Sequence, residues 1–99
     1  MVEIDGETSD LIQKLGSGDV LDVVISYHPP EQTAETRGER IARLSEHMNR
    51  VCAWYDKQGV QYEVYLSEVT TALTKEQLCT LQLDERVAKI RRQEDFTGI

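Results

Sequence analysis

The run Leu73-Thr74-Lys75-Glu76-Gln77-Leu78-Cys79-Thr80-Leu81-Gln82-Leu83-Asp84-Glu85-Arg86-Val87-Ala88-Lys89-Ile90 holds a strand end, a helix start and a second strand in close succession. Thr74 to Gln77 has the form of a capping box. The Thr74 hydroxyl accepts from the Gln77 backbone N–H, and the Gln77 side chain accepts from the Thr74 N–H. A helix is therefore predicted from Lys75 to about Asp84, with Leu78, Leu81 and Leu83 turned inward. Val87 to Arg92 then reads as a strand. Val87 and Ile90 are three residues apart, so both face inward only if a bulge or twist intervenes.

Outward from this run, Val20 to Tyr27 is rich in β-branched and aromatic residues. It alternates Leu21, Val23, Ile25 and Tyr27 on a core face with Asp22, Val24 and Ser26 on the other. Pro29-Pro30 then force an extended bridge. Ile41, Leu44, Met48, Val51 and Tyr55 recur at spacings of three and four, so a helix is predicted over residues 37–58. Thr36 and Glu39 stand at its start and Gly59 at its end. Val60, Tyr62, Val64 and Leu66 predict a further strand with a core face. Val69, Thr71 and Leu73 predict another, joined to it through a turn at Ser67-Glu68, although no Gly or Asn marks that turn. One long bent strand is the alternative. Residues 1–19 carry three glycines and five acids around Lys14 and the short apolar pair Leu11-Ile12. They read as a flexible acidic lead-in in which Leu11-Ile12 either docks or makes a helical turn, and residues 96–99 as an exposed tail.

Strand, helix, strand, strand, helix, strand is the order of an α+β, ferredoxin-like βαββαβ sandwich over residues 20–95. It predicts a four-stranded antiparallel sheet with two helices on one face. The opposite face would carry Asp22, Val24, Ser26, Gln61, Glu63, Tyr65, Thr70, Ala72, Lys89 and Arg91, a mixed surface suited to docking a partner.

Composition narrows the function classes. The chain has 99 residues, 18 acidic and 11 basic, and a formal net charge of −7. One small domain with a core of its own fits that length. The charge disfavours nucleic acid and anionic membrane as partners. The start has neither a basic n-region nor an apolar h-region, so a cytoplasmic location is expected. Cys52 and Cys79 fall on separate predicted helices without CxxC spacing and are expected to be reduced, partly buried thiols.

Signals for chemistry are sparse. His28 reads as a loop residue and His47 as the flank of the long helix. Neither is spaced with an acid as HExxH, and no GxSxG or phosphate-cradling glycine loop occurs. Gly16-Ser17-Gly18 reads as linker. Trp54 is expected to bury a helix edge. No catalytic residue, metal or cofactor is expected, and the chain is not read as an enzyme.

Gly59-Val60 before a strand, Ala72 to Leu78, Leu81, Asp84 and Val87-Ala88-Lys89-Ile90 together resemble the propeptides of subtilisin-type serine proteases and the free-standing inhibitors of that class (peptidase inhibitor I9-like). The likeness spans about residues 20–95. It departs at Glu85-Arg86, where the family usually has Pro-Gly, and at Glu68-Val69-Thr70, where it often has Gly-Phe-Ala.

The resemblance implies inhibition, or chaperoning in trans, of a subtilisin-like protease. The open sheet face would dock on the protease, and Phe96, Thr97, Gly98 and Ile99 would enter the substrate cleft. Ile99 would then lie in the primary pocket and Phe96 in the fourth site. Glu68 in its turn would meet a helix N-terminus of the partner, beside Val24, Glu63 and Tyr65 on the face. The alternative is a cytoplasmic interaction module that kept the fold, for example a homodimer closing over the sheet.

Overall fold

The computed structural model describes residues 2–29 and 36–93. They form β1 (Glu3–Ile4), α1 (Gly6–Lys14), β2 (Val20–Tyr27), α2 (Arg37–Gln58), β3 (Tyr62–Tyr65), β4 (Glu68–Thr74), α3 (Lys75–Gln82) and β5 (Val87–Arg92). The architecture is mixed α+β, with a five-stranded sheet in the order β1-β5-β2-β4-β3. β1 runs parallel to β5, and the other neighbouring strands are antiparallel.

The local signals act where they stand in the chain. The Thr74 hydroxyl accepts from the Gln77 N–H at 3.3 Å, and the Gln77 side chain accepts from the Thr74 N–H at 2.9 Å. This completes the capping box and starts α3 directly after β4. Thr36 caps α2 by accepting from the Glu39 N–H, and Gly59 ends it in the left-handed region at φ 70°. Only glycine occupies that region without a Cβ penalty. Asp84 accepts from the backbone and guanidinium of Arg86, which sets the turn into β5.

One core joins all three helices to the same sheet face. Val23, Ile25 and Tyr27 of β2, Val69 and Leu73 of β4, and Val87 and Ile90 of β5 meet Ile12, Met48, Val51, Tyr55, Leu78 and Leu81. Ser26 pairs with Lys89 while Tyr27 pairs with Val87, so Ala88 is the extra residue of a bulge. That bulge turns both Val87 and Ile90 inward. The Tyr27 and Tyr55 hydroxyls, both buried, hydrogen-bond to each other at 2.6 Å.

Several expectations are corrected. The N-terminal residues are no flexible lead-in: Asp5 caps α1 by accepting from the Thr8 N–H at 2.8 Å, and Thr8 and Ile12 are buried. The Thr8 hydroxyl in turn accepts from the Arg92 N–H, tying α1 to the end of β5. Among the described residues the sheet accordingly has five strands in place of four, and three helices cover it in place of two. β3 begins at Tyr62, and of its predicted core face only Val60 and Tyr62 are half-buried, while Val64 and Leu66 are exposed. β3 is an edge strand whose tip lies beyond the cover of α2. Ile41 is exposed because the first turns of α2 lie away from the core. Leu83 is exposed because α3 stops at Gln82. Both cysteines are free, with Cys52 half-buried and Cys79 exposed, so only one thiol is partly buried.

Candidate protein-binding face

On the sheet face opposite the helices, the registers align side chains in cross-strand rows. Glu68 stands beside Ser26, Ser26 beside Lys89, and Lys89 beside Glu3. The next row runs Glu63, Thr70, Val24, Arg91. In the third, Ala72 stands opposite Asp22, whose carbonyl accepts from the Gln93 N–H. Alternation along each strand places these residues together, as the sequence predicts.

Glu68 does not occupy the turn expected of it. It is the first residue of β4, opposite Ser26 on one side and Tyr65 on the other. Its carboxylate accepts from the Ser26 hydroxyl at 2.8 Å and from the Arg91 guanidinium at 3.2 Å. The Ser26 hydroxyl first, and Arg91 second, hold the carboxyl below its ordinary value against the opposing effect of burial. β4 and β5 are separated by β2, so they lie about 9.5 Å apart, two strand spacings. The Glu68–Arg91 pair must therefore bridge over β2, where Val24 lies. Val24 is only 7% exposed on an otherwise open face. It is consequently a covered residue and not the contact residue expected.

The turn itself is Leu66-Ser67, with φ 55° at Leu66. A positive φ at the first central residue alone is the sign pattern of a type II′ turn, which ordinarily takes glycine there. Val64, Tyr65 and Leu66 form an apolar tip at 42%, 75% and 64% exposure. Exposed apolar clusters of this kind, aromatic residues above all, mark contact sites more often than isolated surface leucines do.

Charges divide the face into two halves. Lys89 pairs with Glu3 at 3.8 Å and Arg91 with Glu68, while Arg92 at the strand end pairs with Glu7 at 3.0 Å. Across β2 and β4 lies an open trough of about 690 Å³, walled by Asp22 and Glu63 and floored by Thr70 and Ala72. No basic residue lines it.

Of the sequence-predicted site residues, Glu63, Tyr65 and Glu68 share this face and Val24 lies beneath the ion pair. Phe96, Thr97, Gly98 and Ile99 lie outside the described residues. The trough and the apolar tip were missed. The glycine-free turn at Leu66-Ser67 was the one signal for the tip, because an exposed leucine in a strained turn is unusual.

His28 is exposed past the end of β2, and His47 is half-buried on α2, its Nε2 without a partner among the described residues. Trp54 packs edge-on against Tyr55 at 4.9 Å between ring centres. Tyr62 donates to Asp56 at 2.7 Å, and that bond, with burial second, pushes its hydroxyl up to about 12. Burial raises the Cys52 thiol, which disfavours a nucleophilic thiolate. Among the described residues no group of three His, Cys, Asp or Glu is placed to hold a metal ion, and no helix is long and apolar enough to cross a membrane. Compared with known proteins, the chain matches no family model, no curated protein and no solved structure.

Proposed function

We propose that this chain is a non-enzymatic binding domain that acts by occlusion, laying its open sheet face and the Val64-Tyr65-Leu66 tip on a partner protein. The exposed apolar tip beside a mixed, helix-free sheet face carries this reading. The strand order β5-β2-β4-β3, with β1 added outside β5, supports a ferredoxin-like unit from residue 20 onward. The resemblance to propeptide-type inhibitors makes a subtilisin-like serine protease the first partner to test, with residues 96–99 as the substrate-like segment. A cytoplasmic setting goes with the sequence reading.

The test is a titration of the full chain, a chain ending at residue 95, and Tyr65→Ala against a panel of subtilisin-like proteases. Inhibition that weakens about tenfold or more in Tyr65→Ala supports the docking face, since aromatic anchors dominate interfaces. Unchanged protease activity across the panel removes the protease as partner, and equal potency of the shortened chain removes the tail mechanism.

β3 favours a second reading. It is an edge strand without proline or lysine, the residues that ordinarily blunt an edge. Two copies pairing through it would form a homodimer, which a solution mass measurement detects directly.

A further inference from the structure

We propose that the outer edge of β3 is a strand-addition site for an extended segment of another polypeptide, one that sets a basic residue, flanked by apolar residues, opposite Glu63. This goes beyond the sheet-face reading, since it uses the edge of the sheet and not its face. Tyr65 and Glu68 pair across the two-residue turn Leu66-Ser67, so they form a hydrogen-bonded pair, and alternation makes Glu63 and Thr70 the next one. Val64 and Tyr62 stand at the non-bonded positions, opposite Val69 and Thr71. Their N–H and C=O groups therefore point away from β4. β3 ends the strand order, so among the described residues no strand meets those four groups. The opposite edge, β1, offers only Glu3–Ile4, and such shortness is one way an edge is blunted.

Charge decides the occupant. A second copy, antiparallel about a two-fold axis, engages all four groups in one register alone, with Tyr62 of each copy opposite Val64 of the other. That register sets Glu63 opposite its own counterpart, between two chains that each carry a net charge of −7. Like charges directly opposite destabilise a strand pair, and opposite charges stabilise it. A foreign strand with Arg or Lys at that position keeps the four hydrogen bonds and turns the repulsion into attraction. Its flanking residues fall opposite Tyr62 and Val64. Val64 is 42% exposed, so an apolar residue set across from it covers surface that the fold leaves open. Tyr62 is already held in place, its ring 5.4 Å from that of Tyr55 and its hydroxyl donating to Asp56, which gives the added strand a fixed neighbour.

The experiment follows backbone amide shifts of the isotope-labelled full chain by NMR. The probes are capped pentapeptides, Thr-Val-X-Val-Thr, with X as Arg, Gln or Glu, each added to about 5 mM, in the range of weak single-site affinity. Their β-branched residues suit an added strand. Shifts should centre on residues 62–65, and the Arg peptide should bind about three- to tenfold tighter than the Glu peptide, the difference between an opposite-charge and a like-charge cross-strand pair. Glu63→Lys should reverse that order. The Arg peptide N-methylated at both valines keeps its charge and side chains but loses two donors, and should bind about tenfold more weakly or not at all. Val64→Pro removes an outward N–H without touching the β3–β4 ladder and should have the same effect from the protein's side. Equal binding of the N-methylated peptide, equal binding of all three X peptides, shifts centred on other elements, or no shifts overturn the strand site. A dimer of the unmodified chain, seen by solution mass and lost in Val64→Pro, overturns the foreign occupant in favour of a second copy. The sheet-face reading is judged by the protease titration, so either proposal fails independently of the other.

Discussion

Raising the pH above 10 should destabilise this protein through one buried pair. The Tyr27 and Tyr55 hydroxyls bond to each other at 2.6 Å between β2 and α2, both inside the core. Burial is the first cause pushing Tyr27 up to about 12, and burial also drives Tyr55 well above the usual tyrosine range. The unfolded chain loses these protons near 10 while the folded chain keeps them. The unfolded state then binds fewer protons, and stability falls as pH rises. The contribution is complete below pH 10 and is lost from there upward, through about 12 for Tyr27. One unit above the unfolded value each tyrosine forfeits about 1.4 kcal/mol, so the pair costs about 3 kcal/mol at pH 11.

Urea unfolding at pH 8, 9, 10 and 11, on wild type and on the double variant Tyr27→Phe/Tyr55→Phe, isolates the contribution of the pair because the rest of the chain is the same in both. At pH 8 each single Phe variant should lose about 1–3 kcal/mol, since it strands the other hydroxyl in the core. The double variant should lose less than the sum. An equal drop between pH 9 and pH 11 in wild type and double variant, or additive single losses, would refute the reasoning.

Ile12→Ala should cost about 2–5 kcal/mol by urea unfolding, because Ile12 is a core residue; a loss below about 0.5 kcal/mol would mean that α1 is not anchored. Gly59→Ala places a Cβ at φ 70° and should cost about 1 kcal/mol, seen as a melting point lower by about 4–8 °C. For Glu68, the carboxyl held low by Ser26 and Arg91 stabilises the fold above its ordinary value of 4.5, and this is lost as pH falls through the lowered value. Glu68→Gln should therefore flatten the acid limb of a pH–stability curve while changing neutral stability by less than about 1 kcal/mol, as exposed pairs do.

Much of the fold was legible because its signals are local. The Thr74–Gln77 capping box, Gly59 and the alternation in β2 and β4 each act within about four residues, and each appears where the sequence places it. The irregularity in β5 was legible in part: the spacing of Val87 and Ile90 asked for a bulge or a twist, and the register places a bulge at Ala88. α1 was read only as a docking pair or helical turn at Leu11-Ile12, because two apolar residues give too short a stripe, although Asp5 ahead of Thr8 was a usable cap signal. Leu66-Ser67 was misplaced by one residue because its first central position lacks the glycine that ordinarily announces such a turn.

The sequence by itself determined the strands and helices from residue 20 onward and the apolar faces of β2 and β4, since periodicity and capping are properties of neighbouring residues. Only the tertiary structure decided what depends on register between distant segments. It set β1 against β5, drew Arg91 over β2 to Glu68 so that Val24 is covered, and put Asp22 and Glu63 in successive rows on the two strands that flank β4. Those relations arise from hydrogen-bond ladders closed between residues tens of positions apart, which no local pattern encodes.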